Sequence, residues 1–190
     1  MPCVLLGLMG VNQRFENCNL ASNLVAIRPL SRSDLRAIFT AGNDDQMQKW
    51  FPLPFPYTNS DAESFLEFAN QRQMDGSGLI SAIEHEGKFA GVVDIKKADW
   101  RAKCCEIGYW SSPWVRSRGV TSVAVLMVSQ WIFREVRFQR IEVRVAPENR
   151  ASKRVAEKAG YVREGIARNA GFTNNGRLDL IIYSRIPSDL

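Results

Sequence analysis

The chain has little of what nucleophilic and metal chemistry usually need. Its only histidine is His85, and its four cysteines, Cys3, Cys18, Cys104 and Cys105, include no pair at two-residue spacing. A structural zinc site therefore lacks ligands, and no metal is expected. Cys104 and Cys105 stand side by side at the start of a strand-like run, where alternation sends their side chains to opposite faces. That reads as reduced thiols of a cytosolic protein, not as a disulfide framework. Long apolar runs are missing too. Cys3 to Val11 is short with no Lys or Arg ahead of it, and Val120 to Phe133 is broken by Thr121, Ser122, Ser129 and Gln130. Neither reaches the ~20 residues that span a bilayer, and no positive leader with a cleavage site is seen. The expectation is no membrane contact and a cytoplasmic location. Internal repeats, low-complexity tracts and the Gly-Lys-Ser/Thr element of a nucleotide P-loop are also absent.

What is there is an ordinary globular balance: 190 residues, 45% hydrophobic and 24% charged. One domain of this size buries roughly two thirds of its unfolded surface and needs no staples. The net charge of +5 is unevenly placed. Between Arg134 and Arg168 lie ten basic and five acidic residues, an excess equal to the whole net charge. Such a stretch favours an anionic partner (a phosphorylated cofactor, nucleic acid or an acidic surface) or is simply a solvated basic face.

Residues 1–23 show no clean period and read as an N-terminal arm ahead of a domain over 24–190. Leu24 to Ile27 forms a strand closed by Pro29. Ser31 or Ser33 caps a helix through about Ala41, with Asp34 in its first turn where the dipole favours a negative charge. Pro52, Pro54 and Pro56 force Trp50 to Tyr57 into an extended, aromatic-lined loop. Asn59 or Ser60 caps a second helix. Leu79–Glu84 and Phe89–Ile95 flank a glycine turn as a hairpin, and Cys104–Trp110 is a third strand, stopped at Ser111-Ser112-Pro113. Gly119–Val136 has the length and apolar load of a long central helix. Arg140–Val145 is a strand, and Asn149–Ala159 an amphipathic helix with Gly160 terminating it. Tyr161–Ile166 and Leu178–Ile186 close the chain as strands. The fold class is α/β (α+β), a mixed and mostly antiparallel sheet with helices.

The informative segment runs from Glu106 to Thr121: strand, then a loop with two arginines and a glycine, then a helix. A helix N-terminus offers unpaired N–H groups and the positive end of its dipole. Gly119 lets a ligand approach the backbone closely, and Arg116 and Arg118 add charge, a pattern suited to a pyrophosphate. Here the chain resembles the GNAT acyltransferase superfamily, within it the RimJ/RimL-like ribosomal-protein N-terminal acetyltransferases. The family's acyl-CoA signature, Gln/Arg-x-x-Gly-x-Gly/Ala, falls on Arg116-Ser117-Arg118-Gly119-Val120-Thr121. Thr121 departs from it, and its hydroxyl and methyl crowd the helix start. Asn149-Arg-Ala-Ser152, ending in Glu157-Lys158-Ala-Gly160-Tyr161, is similar to a second family segment. Ile27-Arg28-Pro29-Leu30 with Asp34-Leu35 is a third match, and the aromatic-proline loop a fourth. Together they span about Leu24 to Arg185.

The resemblance implies a single GNAT domain, its sheet splayed at the acyl-CoA site and helices on both faces. Acetyl-CoA is then the co-substrate, and an amine attacks the thioester directly, so the protein positions two reactants and stabilises an oxyanion. Backbone groups of Tyr109, Trp110 and Ser111 are implied to hold the acyl carbonyl, Ser152 to protonate the departing thiolate, and Asn149 to bind the CoA arm or cap its helix. The base is open between Glu106, Glu164, Asp179 and water alone. An α-amine (pKa ~7.7–8.0) is easier to deprotonate than a Lys-type amine (~10.4). A protein N-terminus, such as that of a ribosomal protein, is therefore the first expectation. Polyamines, which match the late Asn175-Gly176-Arg177-Leu178-Asp179, remain beside it, as do amino acids or antibiotics. A non-catalytic CoA- or RNA-binding module is the other class, but no aromatic pair interleaves with the basic stretch to stack bases. The loop Trp50–Tyr57, with Trp100 and Trp114, is expected at the acceptor cleft. Monomer and homodimer both fit.

Overall fold

The computed structural model describes residues 13–190; Cys3 and the Cys3–Val11 stretch lie outside them. Among the described residues, eight strands form one open sheet in the order β1-β2-β3-β4-β5-β6-β8-β7. They are β1 (Leu20–Ala21), β2 (Ala26–Pro29), β3 (Leu79–His85), β4 (Lys88–Asp99), β5 (Cys104–Ser111), β6 (Arg140–Val145), β7 (Val162–Thr173) and β8 (Gly176–Arg185). Every pair is antiparallel except β5 with β6. The helices are α1 (Leu35–Gly42), α2 (Asp45–Trp50), α3 (Asn59–Asp75), α4 (Val120–Trp131) and α5 (Arg150–Lys158). Buried residues of α4 and α5 pack with Ile107, Ile141 and Tyr183 on one face of the sheet. On the other face, α1 and α3 cover Ile80, Val92 and Trp110. Helices on both faces of a mostly antiparallel sheet are the architecture expected.

Local chemistry explains where elements start and stop. Ser31 and Asp34 form a capping box around a short 3-10 turn that leads into α1, and buried Asp34 also takes both terminal nitrogens of Arg28 at 2.9 Å. Thr58, not Asn59 or Ser60, caps α3, because Asp61 three residues later completes the reciprocal pair. The helix expected over Gly119–Val136 is α4 followed by one π-helical turn, Ile132–Val136, ended by Arg137 in the left-handed region. Just ahead of the expected proline loop, Asp44 caps a short helix, α2, by accepting from the Gln46 and Met47 amides. β7 and β8 are longer than expected and meet at an Asn174-Asn175 turn.

The stretch 13–23 has no period because only single residues of it turn inward. Phe15 and Cys18 are 2% and 1% exposed within the main core, and Leu20–Ala21 pairs with β2. Phe15 lies 4.8 Å from the Trp100 ring centroid and 5.9 Å from that of Phe138. This part of the expected arm is therefore core. Phe15→Ala should lower stability by about 3–5 kcal/mol, the usual cost of deleting a buried ring. Urea unfolding measures it, and a loss below about 1 kcal/mol would mean that the segment is a loose arm after all.

Candidate active site

The sheet opens at one place. β5 and β6 pair only over Cys104–Arg140, Cys105–Ile141 and Glu106–Glu142, although β5 continues to Ser111 and β6 to Val145. On its other side β5 is paired with β4 as far as Ser111. Ser112 N–H donates to the Ala90 carbonyl at 2.8 Å, which sets the phase of that ladder. Even-numbered residues of β5 thus exchange hydrogen bonds with β4, and Tyr109 and Ser111 turn their N–H and C=O to the gap. Trp110, expected to offer backbone groups there, spends them on Val92 and lays its indole under α1 and α3.

α4 begins beside this opening. Gly119 is its N-cap at φ +80°, a conformation that selects glycine, and a side chain there would meet open space. Among the described residues, the amides of Gly119, Val120, Thr121 and Ser122 have no protein partner. Four orphan donors and a helix dipole make an anion cradle that fits a pyrophosphate. Ser117 is left-handed at φ 66° and, like Arg118, exposed. Thr121 is half-buried and leaves its own amide free. Arg116 behaves differently from expectation. Its guanidinium is held bidentately by Asp44, the N-cap of α2, so its charge is balanced within the protein. This pair ties the cradle loop to α2, which runs into the aromatic loop.

Odd-numbered β5 side chains face α4 and α5. The Tyr109 hydroxyl donates to the Ser152 carbonyl at 2.9 Å, and the Ser152 hydroxyl donates to the Tyr109 oxygen at 3.1 Å. Burial pushes the Tyr109 phenol well up, so it stays protonated. Ser152 lies in the first turn of α5, where Asn149 Oδ1 accepts from the Ser152 amide at 3.0 Å. Asn149 is thus the helix cap. The Tyr109 side chain was missed in the sequence, where only its position in the strand was read.

Even-numbered side chains of β5, Glu106 among them, lie on the α3 side, and the expected bases are already engaged. Glu106 is 5% exposed, with Lys96 at 3.0 Å, Lys97 at 2.8 Å and Arg144 at 3.4 Å. A bulge between Lys96 and Asp99 lets two neighbouring lysines reach one carboxylate. Burial raises the Glu106 pKa, but the lysine charges and hydrogen bonds outweigh it and leave it lowered. Glu164 is held by Arg140 and Ser184 and falls to about 2. Asp179 Oδ1 accepts from the Asn169 amide at 2.7 Å across a bulge in β7. All three are structural carboxylates, and the two on the closing strands are exposed. Trp100 packs on Phe15 and Phe138, and it follows β4 at the end of the sheet away from the opening; it does not flank the cleft. Trp114 lies at the near end, donating to the Phe89 carbonyl and stacked on His85. In the aromatic loop Tyr57 is buried against α1, Phe55 is 77% exposed, and the Leu53 carbonyl accepts from Asn174 at the β7–β8 turn. No cluster of three or more His, Cys, Asp or Glu side chains suited to a metal occurs among the described residues, and no described helix is long and apolar enough to cross a membrane.

Residues 25–162, most of the chain, match the acetyltransferase (GNAT) domain family. The chain belongs to the GNAT acetyltransferase family. Among curated relatives, it is 27% identical over 111 residues to the ribosomal-protein-serine acetyltransferase of Escherichia coli, covering 58% of this chain and 62% of that protein. It is 24% identical over 158 residues to the spermidine N(1)-acetyltransferase of the same organism, covering 81% of each. Among solved structures, Mycobacterium smegmatis RimJ in complex with CoA-disulfide superposes at a TM-score of 0.81 with 22% identity, over 87% of this chain and 83% of that one.

In this GNAT domain the Glu106 cluster carries a stability consequence. A carboxylate whose folded pKa lies below its ordinary 4.5 contributes stability that is complete above that value and lost as pH falls through the folded one. Glu106→Gln should cost on the order of 2–4 kcal/mol at pH 7, because three cations lose their counter-charge. The gap between variant and wild type should narrow below pH 4.5 in urea titrations; a gap independent of pH would contradict the ion-pair account.

Proposed function

We propose that this GNAT domain transfers the acetyl group of acetyl-CoA to a primary amine in a ternary complex, with a protein N-terminal α-amine as acceptor. The observation that carries the reading is the opening beyond Glu106. It joins the orphan amides of α4 to the free backbone of Tyr109 and Ser111 and to the Tyr109–Ser152 hydroxyl pair. The α4 cradle holds the pyrophosphate, with Arg118 free to add charge. The pantetheine arm lies in the gap, where Tyr109 and Ser111 supply the hydrogen bonds that a neighbouring strand would otherwise take. Attack of the amine nitrogen forms the C–N bond and breaks the C–S bond. The thiolate takes the Ser152 proton, which the proton shed by the nitrogen as the amide forms restores by way of water, while the Tyr109 oxygen, accepting from the Ser152 hydroxyl, holds that hydroxyl in place. A thiol pKa of ~8.5 makes this a modest demand on a hydroxyl.

The α-amine is favoured because its pKa lies about 2.5 units below that of a Lys-type amine, saving roughly 3–4 kcal/mol of deprotonation at neutral pH. Proteins named for ribosomal-protein acetylation among the relatives support this choice, and the spermidine acetyltransferase supports the polyamine alternative. The setting fitting this substrate is the cytoplasm. The test is release of free CoA thiol from acetyl-CoA with Ser- or Ala-starting peptides, spermidine and free amino acids. Peptide-dependent release is expected, lowered about 10²-fold in Ser152→Ala with acetyl-CoA affinity unchanged. Release with spermidine alone would move the acceptor to polyamines. Failure of the wild type to bind acetyl-CoA would end the transferase reading.

A second consequence concerns Arg116. Asp44→Asn frees its guanidinium while keeping an N-cap side chain. CoA should then bind about 3–10-fold more tightly at low salt, an advantage that salt screens away. Weaker binding by calorimetry would mean that Asp44 aims Arg116 at the ligand.

A further inference from the structure

β4 reads Phe-Ala-Gly-Val-Val-Asp-Ile over Phe89–Ile95, an apolar strand with one carboxylate, Asp94, in the middle. A carboxylate in such a strand is costly unless it is paired. Asp94 is paired on one oxygen only: Oδ1 accepts from Arg72 Nη1 at 2.8 Å, while the other arm of Arg72 donates to the Ile95 carbonyl at 2.7 Å. Oδ2 reaches across β5. Asp94 is in register with Gly108, and a Cβ at Gly108 would lie 3.8 Å from Oδ2. The side chain that crosses position 108 is that of Lys96, whose Nζ, held by Glu106, would lie 3.2 Å from the same Cβ, so this oxygen and the Lys96 ammonium stand side by side over Gly108. The next residue, Tyr109, lines the opening with its backbone and turns its phenol to Ser152 on the opposite face. The contrast with Glu106, whose two oxygens are taken by three cations, is direct.

The geometry points to Asp94 as the group that receives the amine: its free Oδ2 recognises the incoming ammonium on the α3 side of β5 and accepts its proton. This rests on the acetyl-transfer reading and adds the acceptor half of it. The ammonium N–H proton passes to Oδ2, and the freed lone pair forms the C–N bond. The C–S bond breaks, the thiolate takes the Ser152 proton on the α4 side, and the second proton that the nitrogen sheds as the amide forms restores the Ser152 hydroxyl by way of water. Asp94 returns its proton to water when the amide leaves. The charged groups facing Asp94 are Arg72 from α3, Lys96 on β4 itself and Glu106 from β5; Ile80, its partner on β3, is apolar. Burial dominates over the attraction of Arg72 and Lys96, and with Glu106 it holds the carboxyl above its ordinary range. Activity should accordingly fall on the acid side as Asp94 is protonated.

The experiment is kcat/KM against pH, with acetyl-CoA and the best acceptor of the amine panel, for wild type, Asp94→Asn, Asp94→Glu, Gly108→Ala and Glu106→Gln. Asp94→Asn should lower kcat/KM by about 10²-fold and abolish its acid limb, with acetyl-CoA affinity within about threefold of wild type. Asp94→Glu should recover about a tenth or more of the activity together with the acid limb. Gly108→Ala keeps Asp94 and Arg72 in place and sets a methyl group against Lys96 and 3.8 Å from Oδ2, so it should lose about tenfold even if Asp94→Asn folds poorly. Glu106→Gln should keep the acid limb. A wild-type profile in both Asp94→Asn and Gly108→Ala, or an acid limb lost in Glu106→Gln instead, would overturn the assignment while leaving acetyl transfer intact. Absence of thiol release by the wild type with every amine would overturn the transfer reading and Asp94 with it.

Discussion

Everything at the site depends on a sheet that stops pairing. Among the described residues β5 and β6 are the only parallel neighbours, and their ladder ends at Glu106–Glu142 while both strands run on. Parallel neighbours need a crossover, and α4 lies between them in the chain. Its first turn therefore stands where the strands part, with four amides unspent. A backbone that leaves such donors and acceptors unpaired is unfavourable unless something else satisfies them. The acyl-CoA reading supplies it: a phosphate group for the helix end and an amide-bearing arm for the strand edge.

Alternation along β5 then divides the chemistry between two faces. Tyr109 turns to α5 and meets Ser152; Glu106, Gly108 and Trp110 turn to the α3 side. On the proposed reading, proton donation to sulfur and proton removal from nitrogen fall on opposite faces of this strand. The charge on the α3 side is organised to match. Lys96, Lys97 and Arg144 neutralise Glu106, Arg140 neutralises Glu164, and Arg72 takes one oxygen of Asp94. The second oxygen of Asp94 is left over, beside Lys96 above Gly108.

Much of this was legible in the residues, and the failures have identifiable causes. β3, β5 and β6 were readable because each is short and apolar on at least one face. Gly119 was readable because it ends a loop before an apolar helix, and Asn149 and Gly160 because caps are local. The partners of Arg116 and Glu106 were not. Asp44 is 72 residues from Arg116, and a bulge in β4 decides that two consecutive lysines reach Glu106. α2 was hidden because only Met47 of its six residues is buried, and the part of β7 beyond Ile166 because that strand is exposed along most of its length. Asp94 carried one signal, a lone acid in an apolar strand, whose meaning required the register with Gly108.

The central claim is that the gap beyond Glu106 receives the CoA arm. Amide NMR shifts of the labelled protein during titration with CoA test it most directly. The account predicts that the largest changes fall on Tyr109 and Ser111 together with Gly119 to Ser122. Shifts confined to the exposed basic residues between Arg134 and Arg168, with the β5 edge and the start of α4 unmoved, would contradict it.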